Sequence, residues 1–156
     1  MSATEPQGSE ALSGALARAI LGTASDAVIA ADRDGVITFW NPGAERIFGH
    51  AAGGAVGQSL DLIIPERLRA AHWRGFHEVI RTGRSRYGAG DLLSVPGVRR
   101  DGRRISLEFT VVPLTDAEGR TAGIAAILRD VTARFDELKA LRRRLTELGQ
   151  GPAGDP

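Results

Sequence analysis

The chain has 156 residues, enough for one ordinary domain and little more. Hydrophobic residues make up 42% and charged residues 25%, a globular composition that excludes wholesale disorder. Twenty Lys+Arg against nineteen Asp+Glu give a net charge of +1, which argues against backbone-wide nucleic-acid binding; the absence of cysteine excludes disulfides, thiolate nucleophiles and cysteine zinc sites.

Residues 1–8 are small and polar and are expected to be a disordered tail. Residues 9–22 are expected to be an N-terminal helix: Ser9 is a cap residue, Leu12, Leu16 and Ile20 share one face, and Gly22 stops it. That apolar stripe needs either the core or a second copy to cover it. The runs Ala27–Ala31 and Val36–Trp40 flank Asp34-Gly35 and predict a β-hairpin. Asn41-Pro42 ends the second strand, and Pro42 suits the first position of a short helix carrying Ala44, Ile47 and Phe48 and closed by Gly49.

Residues 51–59 are Gly/Ala-rich and read as irregular, and 59–64 as one helical turn. From Glu66 to Thr82 the positions Leu68, Ala71, His72, Gly75, Phe76, Val79 and Ile80 keep helical spacing, and Gly83 closes the helix. Three strands follow. One lies within 86–98, a second alternates Ile105, Leu107, Phe109 and Val111 with polar neighbours, and the third is Gly123–Leu128. The turns between them are Arg100–Arg103 and Asp116–Gly119. Asp130 or Thr132 caps a final amphipathic helix over 132–148, and 149–156 is expected to be a second disordered tail. The fold class is α+β, one antiparallel sheet with helices on one face.

Several separated motifs in this order resemble the PAS domain family. They are Asp34-Gly35, Trp40-Asn41, Ala44, Phe48-Gly49, Arg99-Arg100-Asp101-Gly102 and Asp130-Val131-Thr132. The resemblance implies a PAS core over 23–131: a five-stranded antiparallel sheet whose concave face and middle helices can enclose a ligand. It also implies that Asp130-Val131-Thr132 hands the last strand over to a C-terminal signalling helix.

Within the family, Ile64-Pro-Glu-Arg-Leu-Arg-Ala-Ala-His72 resembles the helix that carries the proximal histidine in heme-binding PAS domains of oxygen-sensing kinases. His72 is thereby implied as an axial iron ligand, and so as the metal and cofactor contact, with heme as the cofactor. Trp40, Phe76, Leu93 and Ile127 are the further candidate lining residues. A histidine on an apolar helix face can equally be a core residue, and Trp40 a core aromatic. Asp91 stands near the place where oxygen-sensing relatives carry an arginine, a departure from the pattern. His77, five residues after His72, points about 140° away and cannot share its ligand, and His50 is expected to be solvated. With no cysteine, covalent flavin photochemistry is excluded.

Phe135, Leu138, Leu141, Leu145 and Leu148 form an apolar stripe at three- and four-residue spacing. Together with the N-terminal stripe it predicts a homodimer through the terminal helices. The arginines at 67, 69, 74 and 81 read as a solvated helix face, so no direct nucleic-acid partner is expected. No stretch approaches the ~20 apolar residues of a membrane span, and no signal peptide is visible, so a cytoplasmic location and no membrane partner are expected. No catalytic motif is present and the chain is not expected to be an enzyme. Three readings remain open: a sensory or regulatory module acting on a signalling partner protein through its terminal helices, a heme-based gas or redox sensor, and a ligand-free interaction and dimerisation module.

Overall fold

The computed structural model describes residues 7–85 and 93–149. The expected tails therefore lie mostly outside the described residues, as do Tyr87 and Asp91.

Five strands form one antiparallel sheet: β1 (Ala27–Asp32), β2 (Ile37–Trp40), β3 (Leu93–Val98), β4 (Arg104–Thr115) and β5 (Thr121–Asp130), in the order β2-β1-β5-β4-β3. The helices are α1 (Gln7–Leu21), α2 (Pro42–Phe48), α3 (Ala52–Ala55), α4 (Arg69–Thr82) and α5 (Thr132–Gly149). The expected fold class is the one observed. Differences from the sequence reading are local. One turn of helix, α3, forms in the stretch read as irregular. The long middle helix begins as a 3-10 turn over Glu66–Leu68 before becoming α4.

The hairpin turn between β1 and β2 is built by Asp32, whose Oδ1 accepts from the N–H groups of Asp34 and Val36 at 3.0 Å each. Gly35 has φ +76°, and a Cβ there would lie 2.2 Å from the Trp73 ring. Both the backbone conformation and the close approach of α4 thus require glycine.

Alternation along β4 and β5 sets the two faces of the sheet. Ile105, Leu107 and Leu128 point into the main core with Ile29, Trp40, Ile47 and Phe48. A second cluster joins Phe76 and Val79 of α4 to Ala31 of β1 and Ile124 of β5. The core therefore lies between one sheet face and helices α2 to α4. The outer face keeps Val112 and Ile127 exposed.

The terminal helices stand apart from this core. Leu12, Leu16 and Ile20 of α1 are 70%, 58% and 51% exposed, so the stripe that needed a cover finds none among the described residues. On α5, Phe135, Leu138, Leu141, Leu145 and Leu148 are likewise exposed. No helix among the described residues is long and apolar enough to cross a membrane.

Candidate functional site

His72 sits in the first half of α4, half-buried, with its ring 5.0 Å from that of Trp73 and 6.0 Å from that of Phe76. Its Nδ1 is buried and has no hydrogen-bond partner. Burial is the main reason its pKa lies below the ordinary value of 6.5; Asp61 opposes that shift, and His77 adds to it. The side chain is therefore a neutral imidazole with an unused buried nitrogen. Around it, Trp73 is fixed by an indole N–H donated to Asp61 Oδ1 at 2.9 Å, and Arg69 donates to the carbonyls of Ile64 and Asp61. Phe76 is 5% exposed and packs toward β1 and β5. His72 and Phe76 are thus brought together, one helical turn apart on one face.

The other candidates lie elsewhere. Trp40 is 4% exposed and belongs to the main core: it packs on Phe48, 5.5 Å between ring centres, and donates its indole N–H to the His50 carbonyl at 3.0 Å. It shares no contact cluster with His72. Ile127 alternates with the inward Ala126 and Leu128 and is 38% exposed, which puts it on the outer face, away from α4. Leu93 opens β3 opposite Phe109. His50, expected to be solvated, is instead half-buried; desolvation and then Arg100 lower its pKa. His77 is exposed and stacks on Trp73 at 5.8 Å.

The chemistry of His72 fits an axial ligand, because a neutral, unpartnered imidazole nitrogen is what iron requires. Among the described residues no group of three or more His, Asp or Glu side chains could hold a metal ion. Two clefts of about 620 and 390 Å³ open on the surface, and His72 lines neither.

One feature escapes the sequence reading, and a second is legible there only as Asp130-Val131-Thr132, without Ser106. Asn41 is 1% exposed and makes four hydrogen bonds. Its Oδ1 accepts from Val28 N–H at 2.8 Å and Ala44 N–H at 2.9 Å; its Nδ2 donates to the carbonyls of Thr23 and Asp26. It caps α2 and ties that helix to β1 at once. The second feature is the joint between β5 and α5. Asp130 Oδ1 accepts from the backbone N–H of Thr132 at 3.0 Å and also from its hydroxyl. The Thr132 hydroxyl oxygen in turn accepts from Ser106 N–H at 3.0 Å, while Val131 N–H donates to the Ser106 carbonyl at 2.9 Å. Asp130 therefore accepts from the first N–H of α5 while Thr132 ties the helix start to β4, so α5 is fastened to β4 as well as to β5. A bidentate pair from Arg129 to Asp26 adds a tie to β1.

Comparison with known proteins agrees with this architecture. A family model described as PAS fold matches residues 15–131. The Sensor protein FixL of Bradyrhizobium diazoefficiens is 30% identical over 129 residues, covering 79% of this chain and 25% of that protein. The Oxygen sensor protein DosP of Escherichia coli is 30% identical over 124 residues, covering 75% of this chain and 14% of that protein. A PAS domain crystal structure from Colwellia psychrerythraea shares the fold with a TM-score of 0.67 at 21% identity, covering 78% of this chain and 98% of that one. The chain spans a quarter or less of the length of the curated relatives it matches. Its motifs, its sheet order and the family match over most of its length all agree: the chain belongs to the PAS family, whose relatives here include sensor proteins.

Proposed function

We propose that this chain is a sensory PAS module that works as a homodimer and passes a change in its core to its terminal helices. The output belongs to a signalling partner, in the cytoplasm, and not to catalysis by this domain. The observation that carries this reading is the joint at Ser106, Asp130 and Thr132. It couples the central strand β5 to a helix whose apolar stripe has no cover among the described residues. A shift of β5 changes the direction in which α5 leaves the sheet, and any effector that favours one direction shifts the population toward it. The exposed stripes of α1 and α5 suit a second copy, since covering them removes apolar surface from water. Deleting residues 133–156 is expected to convert the dimer to a monomer in sedimentation or light scattering. A truncated chain that still dimerises would remove the role assigned to α5.

A second reading has its own support: heme held through His72. The unpartnered buried Nδ1 favours it, as does the likeness to a protein named as an oxygen sensor. Bound heme would supply an iron centre able to take up a gas. This chain's part would be to keep the imidazole neutral by burial and to fix its orientation between Trp73 and Phe76. Phe76 would line the pocket beside it, whereas Trp40 would serve the core and Ile127 the outer face. Hemin added to purified protein should give a Soret band that His72→Ala lacks; no band with wild type rejects the heme reading and leaves the sensory module standing.

A further inference from the structure

The larger cleft, of about 620 Å³, lies where the β3–β4 hairpin, the start of β1 and the entry to α5 meet. Arg46, Arg99, Arg103, Arg104 and Arg129 line it. So do three carboxylates, Asp26, Asp130 and Asp136; with Asp101, which pairs with Arg103 beside the cleft, they leave an excess of one positive charge. Most of the acids are already engaged. Asp26 is held by Arg129, and Asp130 accepts from Thr132. Arg103 pairs with Asp101.

Three guanidinium groups enter no close ion pair among the described residues, although Arg99 acts on Asp101 at longer range. Arg46 donates to the carbonyls of Ala24 and Ser25 at 2.7 Å each, neutral acceptors that leave its charge uncancelled. Arg99 and Arg104 enter no ion pair there, and the Nε of Arg99 is buried with no acceptor at all. A buried charged donor without an acceptor is a costly arrangement, and an anion entering the cleft would relieve it. The first turn of α5, through Thr132 and Ala133, adds the positive end of a helix to the same wall.

We propose that this cleft binds a small phosphoryl anion, held by Arg99 and Arg104 with Arg46 behind them. A phosphoryl group is anionic at neutral pH, and its oxygens suit the arginine fork. The cleft volume falls within the range of small-ligand sites. The proposal is independent of any ligand at His72. Its position gives it a consequence: a bound anion would bridge the β3–β4 hairpin to the root of α5.

The test is an NMR titration of the full chain with inorganic pyrophosphate at constant ionic strength, with sodium sulfate as a parallel arm. Saturable shifts are expected at the amides of Arg99, Arg104, Thr132 and Ala133, with a Kd below about 1 mM and weaker binding of sulfate. Arg104→Gln, at an exposed position, should weaken binding at least about tenfold, or 1.4 kcal/mol. Arg143→Gln on α5 should not. Arg99→Gln should weaken it further if circular dichroism shows it folded; if not, Arg104→Gln alone decides. Shifts that never saturate up to about 10 mM, equal affinity for sulfate, or an affinity unchanged in Arg104→Gln would each overturn the proposal.

Discussion

Asn41 concentrates more of the fold in one side chain than any other polar residue described. It satisfies two buried backbone donors and two carbonyls, and it links the chain before β1 to the start of α2. Replacing it by alanine strands the N–H groups of Val28 and Ala44 in a dry setting. At roughly 1–3 kcal/mol for each orphaned group, Asn41→Ala should cost about 3 kcal/mol or more in urea unfolding. A loss under about 1 kcal/mol would mean that water replaces the amide, and that the network is incidental. His72 acts at the same scale through its proton. Its folded pKa is depressed, so below pH ~6.5 the unfolded chain binds more protons than the folded one. The stability tied to the neutral ring is therefore full above pH ~6.5 and is lost as the pH falls through the lower, folded value. His50 is depressed in the same direction. His72→Gln should flatten the fall in stability between pH 7 and 5, and should leave the His50 share in place. An unchanged slope would show that the His72 ring is hydrated in solution.

At the scale of elements, local signals served well where a turn or a cap is made by neighbours in sequence. Asp34-Gly35 was legible because Asp32 and Gly35 build that turn from within five residues. The strand β4 was legible because one buried face imposes a period of two, and β5 because it carries a short apolar run. What could not be read is long-range. Asn41 looks like a strand stop, and its partners Thr23 and Asp26 lie 18 and 15 residues back. Ser106 gives no sign that its N–H will meet Thr132, 26 residues on. The candidate site shows the same division. His72 and Phe76 share a face by helical spacing alone, whereas Trp40 and Ile127 needed the sheet's orientation to be placed. Trp40 went to the main core and Ile127 to the outer face. The arginine cleft was invisible in sequence because its members come from α2, the β3–β4 hairpin and β5, and only the closed sheet gathers them.

At the scale of the whole molecule, one folded body carries two helices that it does not need for its own core. The two core clusters meet across β1 and β5 and draw nothing from α1 or α5. The ties that close the N-terminal side begin at Thr23, after α1 has ended. Removing residues 1–22 should therefore leave the core's stability within about 0.5 kcal/mol, the range of surface changes, when measured at a concentration too low for association. The same truncation should act differently as concentration rises. If α1 and α5 cover one another's stripes across two copies, association adds stability by mass action, and the thermal midpoint of the full chain climbs with concentration. The truncated chain should show a weaker climb, because half of the apolar cover is gone. Scanning calorimetry over a hundredfold concentration range reads both slopes. Equal slopes would leave α1 outside the dimer, and no slope in either would place the occupant of the stripes in a different protein. In each case the core midpoint at low concentration must stay unchanged; a large drop there would show that α1 stabilises the core in a way its exposed face conceals.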